Sequence, residues 1–119
     1  MKRGIGPCYA DKYARRGIRF HEFINFETFK VRLKECLDFK NKLFTAVYGA
    51  EPMDYDSMVA DFEKIHDRIV PMIKETTSMV NKALDEDKTV LFEGAQACML
   101  DINYGTYPFV TSSSPTSAG

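Results

Sequence analysis

Apolar residues recur at steps of three and four through most of the stretch from Phe26 to Leu84, and this rhythm restricts the fold more than any other feature of the chain. In the first run, Phe29, Leu33, Leu37, Phe44 and Val47 fall close to one stripe with Lys and Glu between them, which predicts a helix from Phe26 to about Tyr48. Gly49 and then Pro52 end it. The second run is cleaner: Tyr55, Met58, Val59, Phe62, Ile65, Ile69, Met72, Ile73, Thr76, Val80 and Leu84 keep the helical step, with Asp54 as N-cap. Pro71 lacks an N–H and crowds the preceding turn, so it either kinks this helix or splits it. Two amphipathic helices joined by a tight turn predict a helical hairpin, with Met58, Met72 and Met79 serving as core packing.

After Asp85-Glu86-Asp87-Lys88 the texture changes. Thr89-Val90-Leu91-Phe92-Glu93 is a short run of β-formers that stops at Gly94, the pattern of a buried strand. A second extended stretch is expected at 106–111, where Pro108 favours an edge or loop position. The tail from Ser112 to Gly119 is small and hydroxylic, and its composition predicts no structure. A buried strand needs neighbours on both sides for its backbone groups, and this chain offers at most one weak candidate. The sequence is therefore expected to be a piece of a larger α/β protein.

The N-terminal end carries the charge. Up to Phe20 there are six bases (Lys2, Arg3, Lys12, Arg15, Arg16 and Arg19) against the single acid Asp11, a local excess of +5 in a chain of net charge −1. A concentrated positive patch suits a small anion better than a long nucleic-acid track. Residues 1–7 read as a loop loosened by Gly4 and Gly6, with Pro7 blocking helix behind it. A short helix is expected from Cys8 to Arg16, closed by Gly17 and supported by an Asp11–Arg15 pair. Glycines let a backbone approach a ligand, a helix start presents unpaired N–H groups to an anion, and Lys12, Arg15 and Arg16 add full charges. The same residues also fit a capped surface helix with solvated bases.

Three scattered cysteines (Cys8, Cys36 and Cys98) with no CxxC pair argue against a disulfide framework and fit a reducing compartment. They read as ordinary small side chains in or near the core. With His21 and His66 they do not form a zinc set. No apolar run reaches membrane-spanning length and no signal-peptide core is present, so a cytoplasmic protein without membrane contact is expected.

Two blocks carry a resemblance. Gly4-Ile5-Gly6-Pro7-x-Tyr9-x-x-Lys12-x-x-Arg15 is similar to the signature segment of adenylosuccinate synthetases. So are Phe92-Glu93-Gly94-Ala95-Gln96, Leu100-Asp101-Ile102 and the run from Gly105 to Ser113, in the family's order with a helical insert between the blocks. The resemblance implies an α/β fold: a fragment of a larger parallel-sheet, P-loop-like synthetase, itself mostly helical with one or two short strands. It divides the chain into a basic IMP-phosphate and dimer segment (1–20), a helical hairpin insert (26–85), and a strand with the IMP-binding loop (88–119).

The family's reaction is implied too. GTP phosphorylates the 6-oxygen of IMP, and the amine of L-aspartate displaces that phosphate to give adenylosuccinate, with Mg²⁺ assisting from ligands expected outside this segment. By matching position, Arg15 reaches across a homodimer to the IMP phosphate of the other subunit, and Lys12 is an active-site residue. Gln96 contacts the hypoxanthine and steadies charge on its 6-oxygen, and Thr111 hydrogen-bonds the phosphate. Glu93, Asp101 and Asp11 read as loop-shaping or ion-pairing carboxylates and not as catalytic ones.

The departures matter as well. The family's opening glycine-rich nucleotide loop, its catalytic aspartate and histidine, and its C-terminal aspartate-binding and guanine-recognition segments are absent, so the isolated chain is expected to be inactive. Met1 stands where the family has a phosphate-contacting threonine, Ser114-Pro115 replaces Asn-Thr or Asn-Cys, and Ala97 replaces a frequent Gly. The alternative from another class is a helical protein-interaction module, which leaves the Gly105–Ser113 string unexplained. Nucleic-acid binding ranks last, because only Tyr9 and Tyr13 stand among the bases as stacking aromatics.

Overall fold

A computed structural model describes residues 3–117. The helices in chain order are α1 (Ile5–Tyr13), α2 (Phe20–Ile24), α3 (Phe26–Tyr48), α4 (Tyr55–Ile69) and α5 (Thr76–Asp85), with 3₁₀ turns at Val70–Met72 and Cys98–Leu100. The chain divides into two compact units, one spanning Gly17–Glu75 and the other joining the residues up to Arg16 with those from Thr76 on.

In the first unit the periodicity is realised nearly as expected. Asn25 caps α3 by accepting the Thr28 N–H at 3.0 Å, and Asp54 caps α4 by accepting the Ser57 N–H at 2.7 Å. Each such cap is worth about 0.5–2 kcal/mol over alanine. Gly49 closes α3 in the left-handed region at φ 59°, where glycine carries no Cβ penalty. Between the two helices Asn41 clasps the connection with both ends of its amide: Nδ2 donates to the Met53 carbonyl at 2.9 Å and Oδ1 accepts the Met53 N–H at 2.8 Å. Pro71 splits the second helix: α4 stops at Ile69 and Pro71 sits within the 3₁₀ turn.

The core of this unit is aromatic. Phe23, Phe29 and Leu33 are buried, and Phe26, Met58, Val59, Phe62 and Ile69 pack against them. Phe23 meets Phe29 edge-on with ring centroids 4.9 Å apart, and Phe29 meets Phe62 at the same separation. Edge-to-face pairs add about 0.5–1.5 kcal/mol each beyond burial. His66 lies with its ring 5.1 Å from that of Phe23 and its Nε2 3.1 Å from the Phe23 carbonyl oxygen. Of the three methionines expected in the core only Met58 packs there, whereas Met72 and Met79 are exposed.

The second unit departs from expectation. Helix α1 starts at Ile5 and not at Cys8, with Gly4 as N-cap at φ 77°. Pro7 falls in the first turn, where a missing N–H costs nothing. The helix ends at Tyr13, and Gly17 does not cap it. The Arg16 N–H reaches the Asp11 carbonyl at 2.9 Å and the Arg15 N–H the Lys12 carbonyl at 3.1 Å, a Schellman closure. Its left-handed residue is Arg15, at φ 60°. Arg15 thus lies past the helix end, outside the helical spacing on which its expected pairing with Asp11 was based.

No strand forms among the described residues, at 89–93 or at 106–111. This part of the chain is helix, turn and loop, so the mostly helical expectation holds and the one or two short strands expected within it are corrected to loop. The physical reason is the absence of neighbours. Backbone at 89–93 finds no ladder partner here, and Leu91 and Phe92 stand 88% and 76% exposed. The 106–111 stretch instead folds on itself, with the Phe109 N–H bonded to the Thr106 carbonyl at 2.8 Å. Two cysteines expected in or near the core, Cys8 and Cys98, are exposed.

Candidate functional site

The second unit brings together two of the four residues singled out in the sequence. Gln96 and Thr111, both half-buried, meet through Ser113. The Ser113 hydroxyl lies 3.4 Å from Gln96 Oε1 and 3.4 Å from Thr111 Oγ1. One hydroxyl therefore links an amide and a second hydroxyl in a polar cluster. The loop that carries them is held by its backbone: the Thr111 N–H donates to the Leu100 carbonyl at 2.8 Å and the Ile102 N–H to the Ser113 carbonyl at 3.1 Å.

The start of α1 approaches the same loop. A β-carbon at Gly6 would lie 3.7 Å from Ser112 Oγ, ordinary contact distance. This helix start is open. No side chain caps it, its first turn holds no acidic residue, and Pro7 has no N–H to offer. The Cys8 N–H bonds the Gly4 carbonyl at 3.0 Å, which leaves Ile5 and Gly6 as the donors at the mouth of the helix. The positive end of the helix dipole adds to the preference for an anion.

Lys12 sits toward the other end of α1, roughly 10 Å from Ile5 along the axis at 1.5 Å per residue, and Arg15 follows past the helix end. Lys12 is exposed with Nζ 5.5 Å from the centroid of the Tyr9 ring, and Arg15 is exposed. Neither shares a hydrogen bond or ion pair with Gln96, Ser113 or Thr111. Met1, where the family's phosphate-contacting threonine was expected, lies outside the described residues.

Two residues of this unit, Ser113 and Thr116, were missed as contributors, while Asp101 takes the loop-shaping part expected of it. Ser113 bridges the cluster, and Asp101 with Thr116 underpins it. The Asp101 side chain is fully buried. Its Oδ1 accepts the N–H groups of Asn103 at 2.8 Å and Tyr104 at 3.1 Å, and its Oδ2 accepts the Thr116 hydroxyl at 2.9 Å and the Thr116 N–H at 3.3 Å. Burial pushes this carboxyl's pKa up, but the bonds from Asn103, Tyr104 and Thr116 outweigh it and hold the group below the usual carboxylate range. Loop shaping is thus its role. The tail expected to be structureless is ordered through Thr116 on this carboxylate. The available signal was turn chemistry: an aspartate two residues before Asn103, followed by Gly105. Gly105 is obligatory, since a β-carbon there would come closer than 3.0 Å to the carbonyl oxygens of Met99 and Asp101 and to the Asp101 nitrogen.

Fold and site together define a mostly helical segment that sets a polar loop cluster against an open helix start, an arrangement suited to holding a small anion. The chain belongs to the adenylosuccinate synthetase family, whose family model matches residues 1–119. It is 55% identical over 118 residues to the adenylosuccinate synthetase of Fusobacterium nucleatum, covering 99% of this chain and 28% of that relative. The enzyme of Pelodictyon phaeoclathratiforme is 50% identical over 117 residues, covering 98% of this chain and 27% of that relative. Among solved structures, the fully ligated adenylosuccinate synthetase from Plasmodium falciparum matches with a TM-score of 0.88 at 40% identity, over 98% of this chain and 27% of that one. The chain thus spans little more than a quarter of the length of the curated relatives it matches. The described residues include no helix long and apolar enough to cross a membrane.

Proposed function

We propose that this chain supplies part of the IMP site of an adenylosuccinate synthetase and acts within a longer, homodimeric, cytoplasmic polypeptide. That enzyme uses GTP to join L-aspartate to IMP through a 6-phosphoryl intermediate. The observation that carries the reading is the Gln96–Ser113–Thr111 cluster beside the open start of α1. A hydroxyl at Thr111 and the N–H groups of Ile5 and Gly6 suit the three oxygens of a 5′-phosphate. The neutral amide of Gln96 donates to the hypoxanthine 6-oxygen as charge builds on it, without competing for protons.

Arg15, exposed past the end of α1 and distant from this cluster along the helix, is free to serve the phosphate of a second subunit. Lys12, three residues earlier and exposed, adds positive charge near the end of α1. Both assignments follow the family's pattern and the exposure of the two side chains. The parallel sheet belongs to the longer polypeptide, where the exposed Leu91 and Phe92 would become an interior strand. Mg²⁺ is expected in the full enzyme. Among the described residues no group of three or more His, Cys, Asp and Glu stands ready to hold a metal, so no step is derived through it.

Titration of the chain with IMP and, separately, with inosine tests this reading by NMR. Weak shifts at Ile5, Gly6, Gln96 and Thr111 that depend on the phosphate are expected, with Arg15 unmoved in a monomer. Equal shifts with inosine would remove the phosphate assignment, and tight stoichiometric binding would show that the pocket is not shared as proposed.

A further inference from the structure

Thr111 and Ser113 are tied to the residues that flank one buried group, Asp101, and Gln96 meets Ser113. The residues on either side of Asp101 are each tied to the phosphate-side loop: the Leu100 carbonyl accepts from Thr111, and the Ile102 N–H donates to the Ser113 carbonyl. Its own backbone is held as well, with the Asp101 N–H on the Cys98 carbonyl at 3.1 Å and the Gly105 N–H on the Asp101 carbonyl at 2.9 Å. Its carboxylate then closes the ring by reaching forward to Asn103 and Tyr104 and across to Thr116, three residues beyond Ser113. Segments 98–105 and 111–116 are thereby joined by two backbone bonds flanking Asp101 and by its side chain on Thr116.

We propose that Asp101 is the positioning residue of this site, its ionised carboxylate setting the arrangement of Gln96, Ser113 and Thr111 through the Thr116 latch. Its bearing on IMP rests on the functional reading above, but the positioning itself does not. All four bonds to the carboxylate come from neutral donors, three backbone N–H groups and one hydroxyl, and no charged side chain is among its partners. The one titratable side chain those partners carry is the Tyr104 phenol, which is exposed.

The direction of the pH effect follows. Because the folded-state pKa lies below the unfolded value, the stabilisation is fully present above the ordinary carboxylate range near pH 4 and is lost as pH falls through the folded value. A protonated carboxyl keeps one oxygen as a hydroxyl donor, which would face an N–H or hydroxyl already donating.

The experiment is an acid titration of the ligand-free chain by NMR, with Asp101→Asn and Thr116→Val alongside. In the wild type the amide signals of Asn103, Tyr104 and Thr116, the backbone signals of Thr111 and Ser113, and the Gln96 side-chain amide are expected to move with one shared midpoint below the ordinary aspartate value. Asp101→Asn abolishes that titration, removes the two bonds that one carboxylate oxygen accepts, and speeds amide exchange at Thr111 by about tenfold or more. Thr116→Val keeps the titration but moves its midpoint up. If Asp101→Asn fails to fold, the wild-type titration and Thr116→Val decide the matter. Movement of Asn103 and Tyr104 while Gln96, Thr111 and Ser113 stay still, in any of these samples, would overturn the proposal. A failure of IMP to shift Gln96 would bear on the ligand reading alone, since the acid titration contains no ligand.

Discussion

The two units of this molecule are held together by opposite means. In Gly17–Glu75 the organising contacts are apolar, with Phe23, Phe29 and Leu33 buried under Phe62 from the facing helix. Among the described residues of the other unit, the one fully removed from solvent is a carboxylate, Asp101, and the large apolar side chains of its loops, Tyr104, Tyr107 and Phe109, face outward. An apolar core is non-directional and tolerates sliding. A hydrogen-bonded knot specifies positions, and it fails when one partner is lost. The helical hairpin therefore has the character of scaffold, and the loop unit has the character of a site.

Three substitutions sharpen or break this contrast. The largest effect is expected for Phe29→Ala, which empties the middle of the aromatic cluster and should cost about 3–5 kcal/mol in urea unfolding followed by circular dichroism. A loss under 1 kcal/mol would mean the cluster does not organise its unit. Next is Gly105→Ala. The added methyl collides with two carbonyl oxygens and a nitrogen, and overpacking of this kind typically costs about 1–3 kcal/mol. Its effect should appear as lost amide protection at Thr111 with the α3 amides unchanged. The smallest is Arg15→Gly, which relieves a left-handed backbone at a non-glycine residue and should stabilise the end of α1 by about 1 kcal/mol. In a full-length dimer the same change should weaken IMP binding. Gain of helix stability with loss of binding is the signature expected of strain kept for function; unchanged IMP affinity would remove Arg15 from the site.

Much of the scaffold was legible in advance because its determinants are local. The spacing of Phe29, Leu33 and Leu37, the cap at Asp54, and the breaks at Gly49 and Pro71 each act within a turn or two of the chain. Gln96 and Thr111 were legible for a different reason, through motifs that resemble a family. Legibility failed where a residue's partner is distant in sequence or absent. The 89–93 run has strand composition, yet no ladder forms without a neighbour. Arg15 was placed in a helix that the Schellman closure ends two residues earlier. The Ser112–Gly119 tail has the composition of disorder, but Thr116 finds Asp101 fifteen positions away.

By itself the sequence determined the long helix α3, the amphipathic run broken at Pro71 and the family, since periodicity, caps and motifs are properties of neighbouring residues. Only the tertiary structure decided that a buried carboxylate gathers the loop, that Ser113 joins Gln96 to Thr111, and that the open start of α1 lies against Ser112. Those are contacts between segments far apart in the chain, and their energy depends on geometry that no local pattern encodes.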